Sequence, residues 1–128
     1  MPAWDDYKKV AKERGSLAFE LYVVESTPIA PPEEVKAVLP EHLAYQNKME
    51  KAGKLFLAGP MSDDTGELMQ GVGMIIYRAS SLEEAAEIAV NDPMHAQEKR
   101  AFKIRKWLVN EGSLSFTLNL SDQGVAIS

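Results

Sequence analysis

Apolar positions change their period several times along the chain, and each change marks an element. Trp4, Tyr7, Val10 and Ala11 fall at helical spacing within residues 3–14, and Gly15 is placed to end that helix. The next stretch, SLAFELYVVEST (16–27), is rich in aromatic and β-branched residues. It carries Leu17, Phe19, Leu21 and Val23 at period two, the pattern of a half-buried strand. PIAPPEE (28–34) reads as a proline-dense loop. Pro40 suits a first helical turn and pushes its predecessor out of helical geometry, so the main helix is predicted from Pro40 to Ala52, with Gly53 ending it.

KLFLAGP (54–60) then reads as a short strand, MSDDTGEL as turn chemistry, and MQGVGMIIYRA (69–79) as a central strand. Ser80 or Ser81 followed by Glu83 or Glu84 forms a capping box ahead of a helical stripe of Leu82, Ala85, Ala86 and Ala89, which breaks at NDP (91–93). AFKIRKWLV (101–109), with Phe102, Ile104 and Trp107 among basic residues, is predicted as a strand. So is SLSFTLNL (113–120), which alternates through Leu114, Phe116, Leu118 and Leu120. Residues 121–128 form a polar tail with little reason to fold alone.

The order helix, β, α, β, β, α, β, β contains a βαββαβ unit, the ferredoxin-like arrangement of an α+β fold with a four-stranded antiparallel sheet. The predicted organisation is an N-terminal helical extension (1–15), a ferredoxin-like domain (16–120) with an additional C-terminal strand, and the tail (121–128). A chain of 128 residues needs no second domain. No repeat, low-complexity segment or Gly-rich phosphate loop interrupts it, and GVG (71–73) is only a fragment of such a loop.

Charge narrows the function classes. Lys and Arg number 14 against 19 Asp and Glu, a net charge of -5, and the basic residues are scattered rather than striped. A nucleic-acid partner is therefore not expected, and the chain lacks the aromatic and basic pattern by which this topology binds RNA. The absence of cysteine removes disulfides, thiolate metal sites and cysteine nucleophiles. No export signal is evident and no apolar run approaches the roughly 18 residues that span a bilayer, so a cytoplasmic protein without a membrane partner is expected.

Two polar residues interrupt the main helix where its apolar stripe should continue. His42 and Gln46 are four apart and share the face flanked by Leu39, Leu43 and Met49. A lone histidine there could be satisfied by a backbone carbonyl. Two polar groups one turn apart need either several partners or a cavity, because burying them unpaired costs a few kcal/mol. A polar-lined pocket between helix and sheet meets that need, and imidazole is the side chain suited to proton transfer near neutral pH. Asp92 before Pro93 has the signature of a helix N-cap, which alone accounts for it. His95, in the first turn of the same short helix, is expected to be exposed, although it lies close enough in sequence to line one pocket with Asp92. No HxH or HExxH spacing supports a metal site, and no cofactor is required.

In this order, PEHLAYQNKMEKAGKLFLAGP, SLEEAAEIAVNDPMHAQ and FKIRKWLV resemble the YCII-related family of small dimeric α+β barrel proteins, over roughly residues 17–109. The marks are the proline-initiated helix with its histidine (Pro40, His42, Leu43), the strand end Ala58-Gly59-Pro60, the SLEEA helix start and Asp92-Pro93. The resemblance implies a ferredoxin-like protomer whose sheet packs on that of a second protomer, hence a homodimer or a higher oligomer. It also implies a catalytic dyad of His42 and Asp92. A carboxylate that accepts a hydrogen bond from one imidazole nitrogen fixes the tautomer and frees the other nitrogen for proton transfer. One branch of the family is a dehydrochlorinase acting on a chlorinated hydroxyhydroquinone, and relatives with the dimeric barrel include isomerases and monooxygenases of aromatic or lactone compounds. The chain departs from the family pattern in its N-terminal helix, in His95 and in its final strand and tail.

The expected function is cofactor-independent acid–base chemistry, an elimination or isomerisation, on a small cyclic or aromatic molecule. His42 would act and Asp92 orient it, while Gln46, His95, Arg105, Gly59 and Pro60 would bind substrate, Arg105 because a guanidinium suits a carboxylate or phenolate, its alternative being a solvated strand-end arginine. The alternative is a non-catalytic metabolite-binding or accessory dimeric module.

Overall fold

A computed structural model describes all residues, Met1 to Ser128. The chain folds as two compact units, Glu20–Leu108 and the joined ends Met1–Phe19 with Val109–Ser128.

The larger unit is built on β1 (Phe19–Pro28), α2 (Pro32–Lys51), β2 (Leu55–Pro60), β3 (Gly73–Tyr77), α3 (Leu82–Val90), α4 (Pro93–Ala96) and β4 (Arg100–Val109), following an N-terminal helix α1 (Trp4–Glu13). The strands lie in the order β2-β3-β1-β4, the ferredoxin-like order, in an antiparallel sheet. Register is fixed by apolar pairs: Tyr22 opposite Tyr77 and Val24 opposite Ile75 place four large side chains on one face. Under the helices, Val24, Ile75 and Tyr77 pack with Met49 of α2 and Ile88 and Ala89 of α3, and Tyr45, Phe102 and Ile104 close the edges. Tyr45 also donates its hydroxyl to the Ile88 carbonyl at 2.6 Å, tying α2 to the last turn of α3. Phe56 is the extra residue at the register shift in β2, and its ring lies 4.5 Å under the Arg78 guanidinium.

Three expectations are corrected. The main helix begins at Pro32, not Pro40. Pro31 and Pro32 supply the cap and first helical residue, where a missing N–H costs nothing, and Glu33 and Glu34 face the positive end of the helix dipole. Pro40 therefore sits inside the helix. It and Lys36, whose carbonyl it leaves without an intrahelical donor, are both exposed, so water can take that carbonyl.

The phase of β1 also differs. Leu17 and Phe19 are exposed, whereas Tyr22, Val24 and Ser26 are buried along with Leu21. Apolar residues at four successive positions, 21–24, make either alternation admissible, and the cross-strand partners in β3 choose the even one.

In the smaller unit the last residues are paired rather than a free tail. β5 (Phe116–Leu118) and β6 (Val125–Ile127) form an antiparallel hairpin, with Phe116 opposite Ile127 and Leu118 opposite Val125. Asp122 turns the chain by accepting from the Gly124 amide at 2.8 Å. The Leu17 amide bonds the Asn110 carbonyl at 3.2 Å, joining the two chain ends that make up this unit. No helix is long and apolar enough to cross a membrane.

Candidate functional site

Asp92 stands at the junction of two helices. α3 is started by Ser81, whose hydroxyl accepts from the Glu84 amide, and closes at Asn91. Asp92 then caps α4 by accepting from the Met94 amide at 3.0 Å, with Pro93 as the first helical residue. Capping alone would leave this carboxylate at a surface turn. Instead α2 covers it, and Asp92 is completely buried, 0% exposed.

The residue of α2 that meets it is His42. The inward stripe of this helix runs Val38, His42, Tyr45, Met49, spaced 4, 3 and 4, with Val38 and Met49 buried and His42 and Tyr45 partly buried, so the imidazole faces inward. His42 Nδ1 lies 2.8 Å from each carboxylate oxygen of Asp92. A carboxylate only accepts, so Nδ1 carries a proton and donates it between the two oxygens; in the neutral imidazole this leaves the lone pair on Nε2. The charge of Asp92 is felt nearby: burial first, and this charge second, raise the pKa of the Tyr45 hydroxyl and push that of Tyr77 well above the usual phenol range.

The ring of His42 opens onto a cleft of about 740 Å³, a size suited to a small molecule. Leu39, Leu43 and Gln46 of α2 form one wall, and Ala58, Gly59 and Pro60 of β2 with Met74 and Ile75 of β3 form another. The loop 69–72 closes one end. Gly71 in that loop has φ +93, and a Cβ there would meet Pro28 at 3.0 Å, so any other residue would be strained and crowd Pro28. Most of the lining is apolar; the polar contributions come from a few side chains including His42, Gln46, Ser26 and Arg100.

Of the residues expected to contact a ligand, Gln46, Gly59 and Pro60 line this cleft, and Arg105 and His95 do not. Phe102 and Ile104 pack on the helix-side core, so the alternation of β4 sends Arg105 to the opposite face of the sheet, where it is exposed. The same alternation brings Arg100, two residues before Phe102, to the helix side and into the cleft. His95 is neither exposed nor a lining residue. Its Nδ1–H donates to the Ala89 carbonyl at 2.7 Å, its ring lies 4.7 Å from Phe102, and its Nε2 accepts the hydroxyl of Ser26 at 2.8 Å. Burial holds its pKa below the ordinary histidine value; the Ala89 carbonyl and Asp92 oppose this, and Arg100, together with His42 when it is protonated, adds to it.

Arg100 and Ser26 are the cleft residues that sequence reasoning passed over. The signal for both was the strand phase: Ser26 follows Val24, and Arg100 precedes Phe102, each by two. Met94, next to Asp92, also reaches the cleft while being 2% exposed. No group of three or more His, Asp or Glu side chains is placed to hold a metal ion.

The chain is similar to known proteins. YjpA, an uncharacterized protein of Bacillus subtilis (strain 168), is 35% identical over 66 residues, 52% of this chain and 71% of its own length. The 5-chloro-2-hydroxyhydroquinone dehydrochlorinase of Burkholderia phenoliruptrix AC1100, solved in complex with 2,5-dihydroxybenzoquinone, has a similar fold, with a TM-score of 0.50 and 21% identity over 68% of this chain and 92% of that one. The YCII-related domain matches residues 9–108, a span that contains every residue named in the cleft, and the chain belongs to the YCII-related family.

Proposed function

We propose that this protein is a cofactor-independent acid–base enzyme that moves a proton on a small, acidic ring compound. The observation that carries the reading is the buried Asp92 carboxylate on His42 Nδ1 at 2.8 Å, beside a cleft of about 740 Å³. With Nδ1 committed to Asp92, Nε2 is the nitrogen available to a molecule in the cleft, and it arrives in the basic tautomer. Nε2 takes a proton from an acidic C–H or O–H, and Asp92 stabilises the resulting imidazolium without itself accepting the proton. The electron pair left on the substrate enters the ring. It is then either reprotonated at another atom, an isomerisation, or expels a leaving group as an anion, an elimination. Gln46, Gly59 and Pro60 contribute to the substrate wall.

The similar fold of a dehydrochlorinase that acts on a chlorinated hydroxyhydroquinone supports this class of chemistry. A mostly apolar lining suits a flat ring, and assistance of this kind contributes about 10²- to 10⁴-fold, enough for a substrate that is already acidic. A second protomer packed on this sheet is part of the same proposal, as is a cytoplasmic location.

The test is to incubate the protein in D₂O with hydroxyhydroquinones, hydroxybenzoquinones and unsaturated lactones, and to follow deuterium incorporation, double-bond movement and halide release by NMR. Wild type is expected to accelerate at least one of these and His42→Ala to abolish it. Equal rates for wild type, His42→Ala and buffer across the series would replace the enzyme with a binding module.

A further inference from the structure

Arg100 is held by three of its five N–H donors. Nε donates to the Ser26 hydroxyl at 2.8 Å, while Nη2 donates to the Ser26 carbonyl at 2.8 Å and to the Gly71 carbonyl. The two donors of Nη1 have no protein acceptor, and no carboxylate is in contact with the guanidinium. Arg100 is nevertheless half-buried and lines the cleft that His42 opens onto.

The rigidity of this side chain follows from proton accounting. Ser26 is 2% exposed and has one hydroxyl proton. It spends that proton on His95 Nε2, which accepts because His95 Nδ1–H is committed to the Ala89 carbonyl. The serine oxygen then accepts from Arg100 Nε. Every donor along the path Arg100, Ser26, His95, Ala89 has one acceptor, and the path closes only with neutral His95. Its burial, which disfavours the charged imidazole, agrees with that. A guanidinium positioned in this way loses little freedom when it binds.

Burial disfavours the charged guanidinium, the charge of Asp92 opposes this from a distance, and every direct acceptor is neutral, so a bound anion would supply the contact that the cation lacks. We infer that Arg100 is the anion anchor of the cleft, its Nη1 receiving the carboxylate or phenolate oxygen of a small ring acid, with Ser26 and His95 as positioning residues. The inference rests on the proposed function only for the proton that His42 would move; the anion site stands without it. It also assigns to Arg100 the substrate contact that sequence reasoning gave to Arg105.

The experiment is calorimetric titration of wild type, Arg100→Gln, Arg100→Lys and His42→Ala with 2,5-dihydroxybenzoquinone and 2-hydroxybenzoate. Their uncharged partners, 2,5-dimethoxybenzoquinone and methyl 2-methoxybenzoate, are titrated alongside. Wild type is expected to prefer the acids, and Arg100→Gln to weaken them by about 10- to 100-fold, the range of a charge-assisted hydrogen bond, while the uncharged compounds change by less than about 3-fold. Arg100→Lys, which keeps the charge and the fold but not the fork, should give an intermediate loss. His42→Ala should retain the preference; if it does so while no proton transfer is found, the catalytic reading fails and the anion site survives. Absence of saturable binding of either acid to wild type, or equal weakening of charged and uncharged compounds, overturns the inference.

Discussion

Replacing Asp92 with asparagine tests the dyad at a single atom. In the wild type Oδ1 accepts from both the Met94 amide and His42 Nδ1, and Oδ2 accepts from Nδ1 as well, both oxygens lying 2.8 Å from it. Asparagine has one oxygen and one NH₂. If the oxygen keeps the cap on α4, the NH₂ takes the place of Oδ2 and faces Nδ1 donor to donor, unless the imidazole proton leaves Nδ1. Moving it to Nε2 turns Nδ1 into an acceptor and restores a good hydrogen bond. The substitution should therefore preserve the fold and invert the tautomer. The lost charge-assisted bond costs about 1.5–3 kcal/mol, partly offset because a neutral amide is cheaper to bury than a carboxylate. The effect on proton transfer is larger: with Nε2 protonated the base is gone, and the rate should fall about 10²- to 10⁴-fold. Long-range ¹H–¹⁵N correlation of the imidazole at alkaline pH reads the tautomer directly and needs no substrate. A variant that keeps its proton on Nδ1 and its rate within about 3-fold of wild type would refute the assignment of Asp92 as the group that orients His42.

Three further outcomes follow from particular contacts. Ser26→Ala strips an acceptor from Arg100 Nε and a donor from His95 in a buried place, and should lower stability by about 1–3 kcal/mol, read as a shifted denaturation midpoint at unchanged slope. The depressed pKa of His95 means that the unfolded chain takes up a proton near 6.5 that the folded protein accepts only at lower pH. Its contribution is therefore complete above about pH 6.5 and is lost as pH falls from there through the folded value; His95→Gln, measured by denaturant midpoints from about pH 7.5 to about pH 5, should show a shallower acid-side decline than wild type. Pro40 lies exposed inside α2, so Pro40→Ala restores a helical hydrogen bond without removing packing and should stabilise the protein by about 1–3 kcal/mol; a loss of stability would show that the proline is needed where it stands.

Period and punctuation made most of the fold legible. The apolar run within residues 69–79, the capping box at Ser80 or Ser81 and the break at Asn91-Asp92-Pro93 are local signals, and together they set the βαββαβ order. Proline was less informative, because Pro31, Pro32 and Pro40 all suit a first helical turn, and only packing of Val38 and Met49 against the rest of the unit makes one helix of Pro32–Lys51. The four apolar residues at 21–24 likewise left β1 free to present either face until β3 paired with it.

For the site, the residue types at 42, 46 and 92 were visible in the sequence, since a polar pair on an apolar stripe and an Asp-Pro cap are both local patterns. What decided their chemistry was distance across 50 residues of chain: the cap became a buried carboxylate only when α2 covered it, and His42 acquired its tautomer only on meeting it. The choice between Arg100 and Arg105 shows the same division. The strand predicted from the sequence begins at Ala101 and leaves Arg100 outside it; in the structure both arginines lie on β4, five residues apart and so on opposite faces, and the face that looks at the cleft is set by which side of the sheet the helices cover. Local periodicity is a property of the chain, whereas the partner of each face is a property of the packed protein.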